Sequence, residues 1–241
     1  MRIKKLQSAA LAIFALAFLL MNTPAVVAQS LRGNGKIATQ NRNVSGISGI
    51  DVSGGFMVEV TQGSNEGVRL EAEENLLDNI KTEVRNGVLH IYNDKSLSSS
   101  KSMKAYITLK DLKSIDISGG VKVVGNSTFK SPSLKIDMSG GSSVKLTVDT
   151  KEIKADMSGA SKVELTGKTD VMTMGMSGAS KVDATALEAN EVRVQASGAS
   201  NVKVYANKTL DINASGASVV YYKGSPSITS DVSAAARVSR L

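Results

Sequence analysis

One short sentence of sequence recurs down the C-terminal half of the chain, always in register with itself. Its copies read DISGGVKVVG, DMSGGSSVKL, DMSGASKVEL, GMSGASKVDA, QASGASNVKV, NASGASVVYY and DVSAAARVSR, centred on Ser118, Ser139, Ser158, Ser177, Ser197, Ser215 and Ser233. Successive spacings are 21, 19, 19, 20, 18 and 18 residues. A fixed short period of this kind is the signature of a solenoid, in which each unit buries its apolar face only against the next. An eighth copy, DVSGGFMVEV, lies 65 residues before the first of the series, at Asp51–Val60. The stretch between the two is not simple repeat.

Aligned by column, the copies specify strands. Five residues after each motif serine stands a valine: Val123, Val144, Val163, Val182, Val202, Val220 and Val238, with Val58 in the early copy. Before the serine, positions minus five, minus three and minus one are mostly apolar, as in Leu134-Ile136-Met138 and Met172-Met174-Met176. Alternation with period two marks a strand with one buried face. Each coil therefore supplies one strand before the Ser-Gly-Ala/Gly corner and one after it. The corner is small because copies stack at ~4.8 Å, and glycine follows the serine because a sharp corner needs φ > 0. Seven coils would make a rod of roughly 34 Å. A β-sandwich also carries frequent strands, but its strands do not repeat one sentence in register. The expected fold is all-β: a single-stranded parallel β-helix of about 18–21 residues per coil.

The first 28 residues read as an export signal. Arg2, Lys4 and Lys5 precede an uncharged apolar run from Ala9 to Met21, and Val26-Val27-Ala28 suits signal peptidase. Cleavage is expected between Ala28 and Gln29, with no transmembrane segment in the mature chain. Its loss lowers the formal net charge from +7 to +4, and the charges that remain are interleaved. Nucleic-acid binding proteins cluster their cations, so nucleic acid is not an expected partner. With no cysteine there is no disulfide, no thiolate metal site and no lipid-modified N-terminal cysteine. Residues 29–43 read as a flexible polar leader, residues 44–112 as an irregular β region capping the rod, and residues 113–241 as the β-helix, continuous with that cap. Within the cap, Phe56-Val58-Val60 and Val68-Leu70-Ala72 alternate like strands around Gln62–Asn65. Glu74–Asn79 suits a helical turn, and Asn86-Gly87 is a strong hairpin signal.

The pairing of NLLDNIKTEVRNGVLHIYND with serial SGAS corners resembles the auto-transporter adhesin, head-GIN domain family of secreted Bacteroidetes proteins, over roughly Val44 to Ser233. The resemblance implies a right-handed β-helix and a periplasmic, cell-surface or extracellular location. It supplies no catalytic residue. The chain itself shows no lipid-facing barrel strands with aromatic girdles.

The residues offer candidate sites, each with a plainer alternative. Asp116, Asp137 and Asp156 share the column two before the serine, and stacking would set their carboxylates in a ladder that could bridge Ca²⁺. The same ladder could be a solvated face, since the column continues as Gly175, Gln195 and Asn213. Lys122, Lys162 and Lys181, beside Lys145, Glu164, Asp183 and Lys203, could touch acidic glycans or form ordinary surface. Tyr205 and Tyr221 could stack on sugars, with Tyr222 pointing inward. The motif serines are not expected to be nucleophiles, because one base, His90, cannot serve seven equivalent hydroxyls. Ser161, the second serine of its corner, is expected on the exposed side. No catalytic, cofactor or metal site is assigned. The expected function is a non-catalytic, adhesin-like or structural envelope protein whose partners are envelope glycans or a host surface. The alternative is a carbohydrate-active β-helix enzyme, a polysaccharide lyase or hydrolase.

Overall fold

The computed structural model describes residues 30–233 and 235–241. The expected export signal, residues 1–28, lies outside the described residues. From the N-terminus run β1 (Leu31–Arg32), β2 (Ile37–Arg42), β3 (Gly49–Gly54), β4 (Phe56–Gln62) and β5 (Gly67–Glu73). A 3₁₀ turn at Glu74–Asn79 leads to β6 (Ile80–Arg85), β7 (Val88–Asn93), β8 (Leu97–Ser98), β9 (Met103–Leu109) and β10 (Ser114–Gly119). Asn86 (φ 50°) and Gly87 (φ 79°) form the turn of an antiparallel β6–β7 hairpin, as Asn-Gly predicts.

The repeat then folds as a parallel β-solenoid. Each interval between corners is one long bent strand: β11 (Lys122–Met138), β12 (Ser143–Met157), β13 (Lys162–Met176), β14 (Lys181–Ala196) and β15 (Asn201–Ala214). The last coil breaks into β16 (Val219–Lys223), β17 (Ser227–Val232) and β18 (Arg237–Arg240). The expectation of two strands per coil is met on the two sides of each corner, but the ladder continues around the bend between them. Register keeps the repeat columns together: Val144 lies against Val163 and Val163 against Val182. The valine stripe is buried from Val58 to Val220, and Val238, at the end of the stack, is partly exposed. Leu134, Ile136 and Met138 and their equivalents fill the opposite wall. Corners stack through the backbone. The amide after each glycine donates to the glycine carbonyl one coil back, as in Ala160 N to Gly140 O (2.9 Å) and Ala179 N to Gly159 O (2.8 Å).

The 65-residue gap in the repeat is an insertion that builds the cap. The corner at Ser53-Gly54 stacks directly beneath Ser118-Gly119, through the pairing of β3 with β10. On the side before the corner, β7 and then β6 extend the stack beyond β3. On the side after it, β9 lies beside β4, β5 beside β9, and β2 beside β5. So β4 and β5 are not hairpin partners; β9 separates them. The leader expected to be flexible is strand in its second half. Ala38 of β2 packs against the core, and Ile37–Arg42 pairs with Val68–Glu73. The alternate side chains of a polar stretch are enough to cover the open edge of β5. Glu73 fixes the turn before β2. Its carboxylate is fully buried and accepts from Gly35 N (2.7 Å), Ser100 N (3.1 Å) and the hydroxyls of Ser99 and Ser100.

Candidate functional site

Outward side chains two before the corner form one file along the rod. The strand register sets Asp51 against Asp116, Asp116 against Asp137, and Asp137 against Asp156. Gly175, Gln195 and Asn213 continue it, and Asp231 follows on the last coil. At its N-terminal end the file holds a residue of another kind. The pairing of β3 with β7 puts His90 beside Asp51, with Nδ1 2.8 Å from Oδ2. Sequence reasoning missed this neighbour because the two residues lie far apart in the chain. The signal was present: Leu89-His90-Ile91 and Ile50-Asp51-Val52 share one apolar-polar-apolar pattern, with the outer two residues buried and the middle one half-buried.

Between this file and the first serine of each corner stands a buried residue, and the concavity above it runs along the rod as a groove. Its volume is about 720 Å³. One wall is Asp116, Asp137, Asp156, Gly175, Gln195 and Asn213; the other is Ser139, Ser158, Ser177, Ser197 and Ser215. Met138, Met157, Met176 and Ala196 form the floor. Among the described residues no lysine, arginine or aromatic residue lines it.

The electrostatics of the acidic wall are uneven. Asp137 pairs with Lys135 (2.7 Å), Asp156 with Lys154 (3.5 Å) and Asp51 with His90. In the coil of Asp116 the position of those lysines is taken by Ser114, and Asp116 has no ion pair among the described residues. Although Asp116 is exposed, partial desolvation, then the carboxylates of Asp51 and Asp137, raise its pKa above the ordinary aspartate value. Among the described residues, no group of three or more His, Cys, Asp or Glu side chains is arranged to hold a metal ion. The ladder has the residue type for Ca²⁺ but sets its carboxylates in a row rather than around a point.

The two serines of each corner differ, which corrects the expectation for Ser161. Ser158 is exposed, whereas Ser161 is 1% exposed and its hydroxyl donates to Ser158 O (2.8 Å). Ser142, Ser180 and Ser200 repeat the arrangement. Elsewhere on the surface, Lys122, Lys162 and Lys181 are exposed, and Lys145 pairs with Glu164 (2.6 Å). Lys223 lies over the Tyr205 ring (4.5 Å) and Lys203 nears Tyr221 (6.0 Å), while Tyr222 packs against the core. None of these groups lines the groove.

The family described as "Putative auto-transporter adhesin, head GIN domain" matches residues 30–226. No curated protein gives a significant match. Among solved structures, a "putative adhesin" from Bacteroides fragilis superposes with a TM-score of 0.84 at 21% identity, over 88% of this chain and 100% of that one. A "putative lipid binding protein" from Parabacteroides distasonis gives 0.73 at 20% identity, over 88% and 100%. A "putative adhesin" from Parabacteroides merdae gives 0.72 at 18% identity, over 89% and 100%. At such identities the likeness is one of fold. None of the three is named as an enzyme.

Proposed function

The chain belongs to the auto-transporter adhesin, head GIN domain family, and from that premise we propose that it is an exported, non-catalytic binding protein of the cell envelope whose groove is its adhesive surface. One observation carries this reading. The groove repeats one serine per coil along its length, five in all, facing a file that runs from acids to amides. Catalysis needs unlike groups converging on one reacting atom; adhesion along a rod needs like groups spread along it. Neither His90 nor its partner Asp51 lines the groove.

The groove can be closed without disturbing the backbone. Gly175 does not have a positive φ, and a β-carbon there would meet only the carboxylate of Asp156, a movable side-chain end. In Gly175→Tyr the ring would fill the middle of the groove. Purified wild type, lacking the export signal, is expected to bind bacterial envelopes or host cells, and a folded Gly175→Tyr variant to lose that binding. Equal binding by the two proteins would remove the groove from the adhesive surface. Incubation with uronic-acid polymers is expected to give no turnover; reproducible turnover lost in Asp137→Ala would replace this reading with a lyase.

A further inference from the structure

We infer that the groove takes a linear, extended polysaccharide carrying free amino groups, laid along the rod axis with about one sugar unit per coil. The assignment rests on the groove being the adhesive surface, and adds the chemistry of what lies in it.

Spacing argues for a glycan. The groove runs across the strands, so its lining repeats at the distance between coils, ~4.8 Å. An extended chain of pyranose units advances by about one such spacing per unit. An extended peptide advances ~3.3 Å per residue. Its groups fall out of step with Ser139, Ser158, Ser177, Ser197 and Ser215 within a few residues.

Chemistry selects the kind of glycan. Along one wall Ser158, Ser177 and Ser197 donate to a carbonyl one coil back and leave their lone pairs to accept, and with the amides of Gln195 and Asn213 they suit sugar hydroxyls. Among the described residues no cation lines the groove, and Asp116, which has no ion pair among them, would repel a uronate or sulfate group set beside it. The acidic end calls for an ammonium. Asp137 and Asp156 each pair with a lysine of this chain and Asp51 with His90, whereas Asp116 has no ion pair among the described residues and lies between two other carboxylates. A sugar amine set beside Asp116 would supply the missing charge.

The test uses the full chain lacking its export signal, with defined β-1,4-linked glucosamine oligomers from dimer to octamer, titrated calorimetrically. N-acetylated oligomers of the same lengths, oligogalacturonate and oligolysine are the comparison arms. Affinity for glucosamine oligomers is expected to rise with length and level off near the pentamer or hexamer. N-acetylated oligomers and oligolysine should bind about tenfold more weakly or worse, and oligogalacturonate not at all. Asp116→Asn and Gly175→Tyr should each weaken hexamer binding about tenfold, and Lys181→Ser, outside the groove, should leave it unchanged. Oligolysine binding as well as glucosamine oligomers, affinity without a plateau, or indifference to both groove substitutions would each overturn the assignment. If no glucosamine oligomer binds while Gly175→Tyr still abolishes envelope adhesion, the glycan class is wrong and the groove remains the adhesive surface. If that substitution changes neither, both readings fall.

Discussion

Gly159 has φ +75°, and a β-carbon there would lie 2.7 Å from the carbonyl oxygen and 3.1 Å from the nitrogen of Gly140. Both obstacles are backbone, held by the Ala160 N to Gly140 O bond, so neither can step aside. Gly159→Val is therefore expected to cost at least the ~1–3 kcal/mol of a strained backbone position, read from denaturant melts. A cost below half a kcal/mol would mean that corner stacking is looser than the glycine column implies. The two serines flanking this glycine make a finer contrast. Ser161→Ala deletes a buried donor to Ser158 O and is expected to cost about 1 kcal/mol, while Ser158→Ala, on the exposed side, should cost less. Equal costs would contradict their different burial. The difference was legible in the sequence, because Ser161 stands two before the inward Val163 and so shares its face. Residue type obscured it: two serines in one motif look alike, and a hydroxyl beside a corner suggests water before it suggests a carbonyl partner.

The strand is where pattern and structure agree most closely, because alternation in the sequence and the register of a parallel ladder are the same constraint. A slip of one residue would turn the whole valine stripe to solvent. Val163 is buried between Val144 and Val182, while its neighbour Lys162 is exposed. Val163→Asp forfeits about 1.5–3 kcal/mol of apolar burial and adds the larger cost of an unpaired buried charge. Lys162→Ser should change the melting temperature little, and comparable shifts would mean that the inward face is wrongly assigned. Alternation was less informative where partners are distant in the chain. It identified β4 and β5 as strands but could not say that β9 lies between them, since the pairing of β4 with β9 joins Phe56 to Met103. The same limit hid His90 from Asp51. Local signals recovered local structure, namely the Asn86-Gly87 hairpin and the 3₁₀ turn. Between residues 44 and 112, partners that are not consecutive decide the arrangement.

At the scale of the whole rod, the ionisable groups divide its two parts. Four carboxyls with lowered pKa lie in one short stretch of the cap. Glu73 is held down first by the Ser99 hydroxyl, Glu71 by Lys104, Glu83 by Tyr92 and then Arg85, and Glu66 by the amide of Gly46. In the coils from β11 to β15 the corresponding group is Asp183, held by Thr185. A carboxyl whose folded pKa lies below its unfolded one stabilises the fold above its ordinary value, which for glutamate is 4.5. That contribution is lost as pH falls through the folded value. Asp116 acts in the opposite sense, because its folded pKa is raised: its charge opposes folding at neutral pH, and protonation relieves this as pH falls. Asp116→Asn should therefore melt higher than wild type at pH 7, with the gap closing in acid, so a loss of ligand in that variant is not a loss of fold. The cap should yield to acid before the coils do. Protonating Glu73 weakens its grip on Gly35 and on Ser99 and Ser100, which hold β2 and the loop after β8 against the rod. The coils are held instead by backbone ladders and an apolar interior, which proton concentration does not touch. Hydrogen exchange measured at neutral pH and again below pH 4, corrected for intrinsic rates, should show Ile37–Arg42 losing protection while Val144, Val163 and Val182 keep theirs. Glu73→Gln should bring the same local loss at neutral pH. Simultaneous loss of protection in cap and coils would mean that the rod opens as one unit and that the Glu73 clamp carries no separate share of its stability.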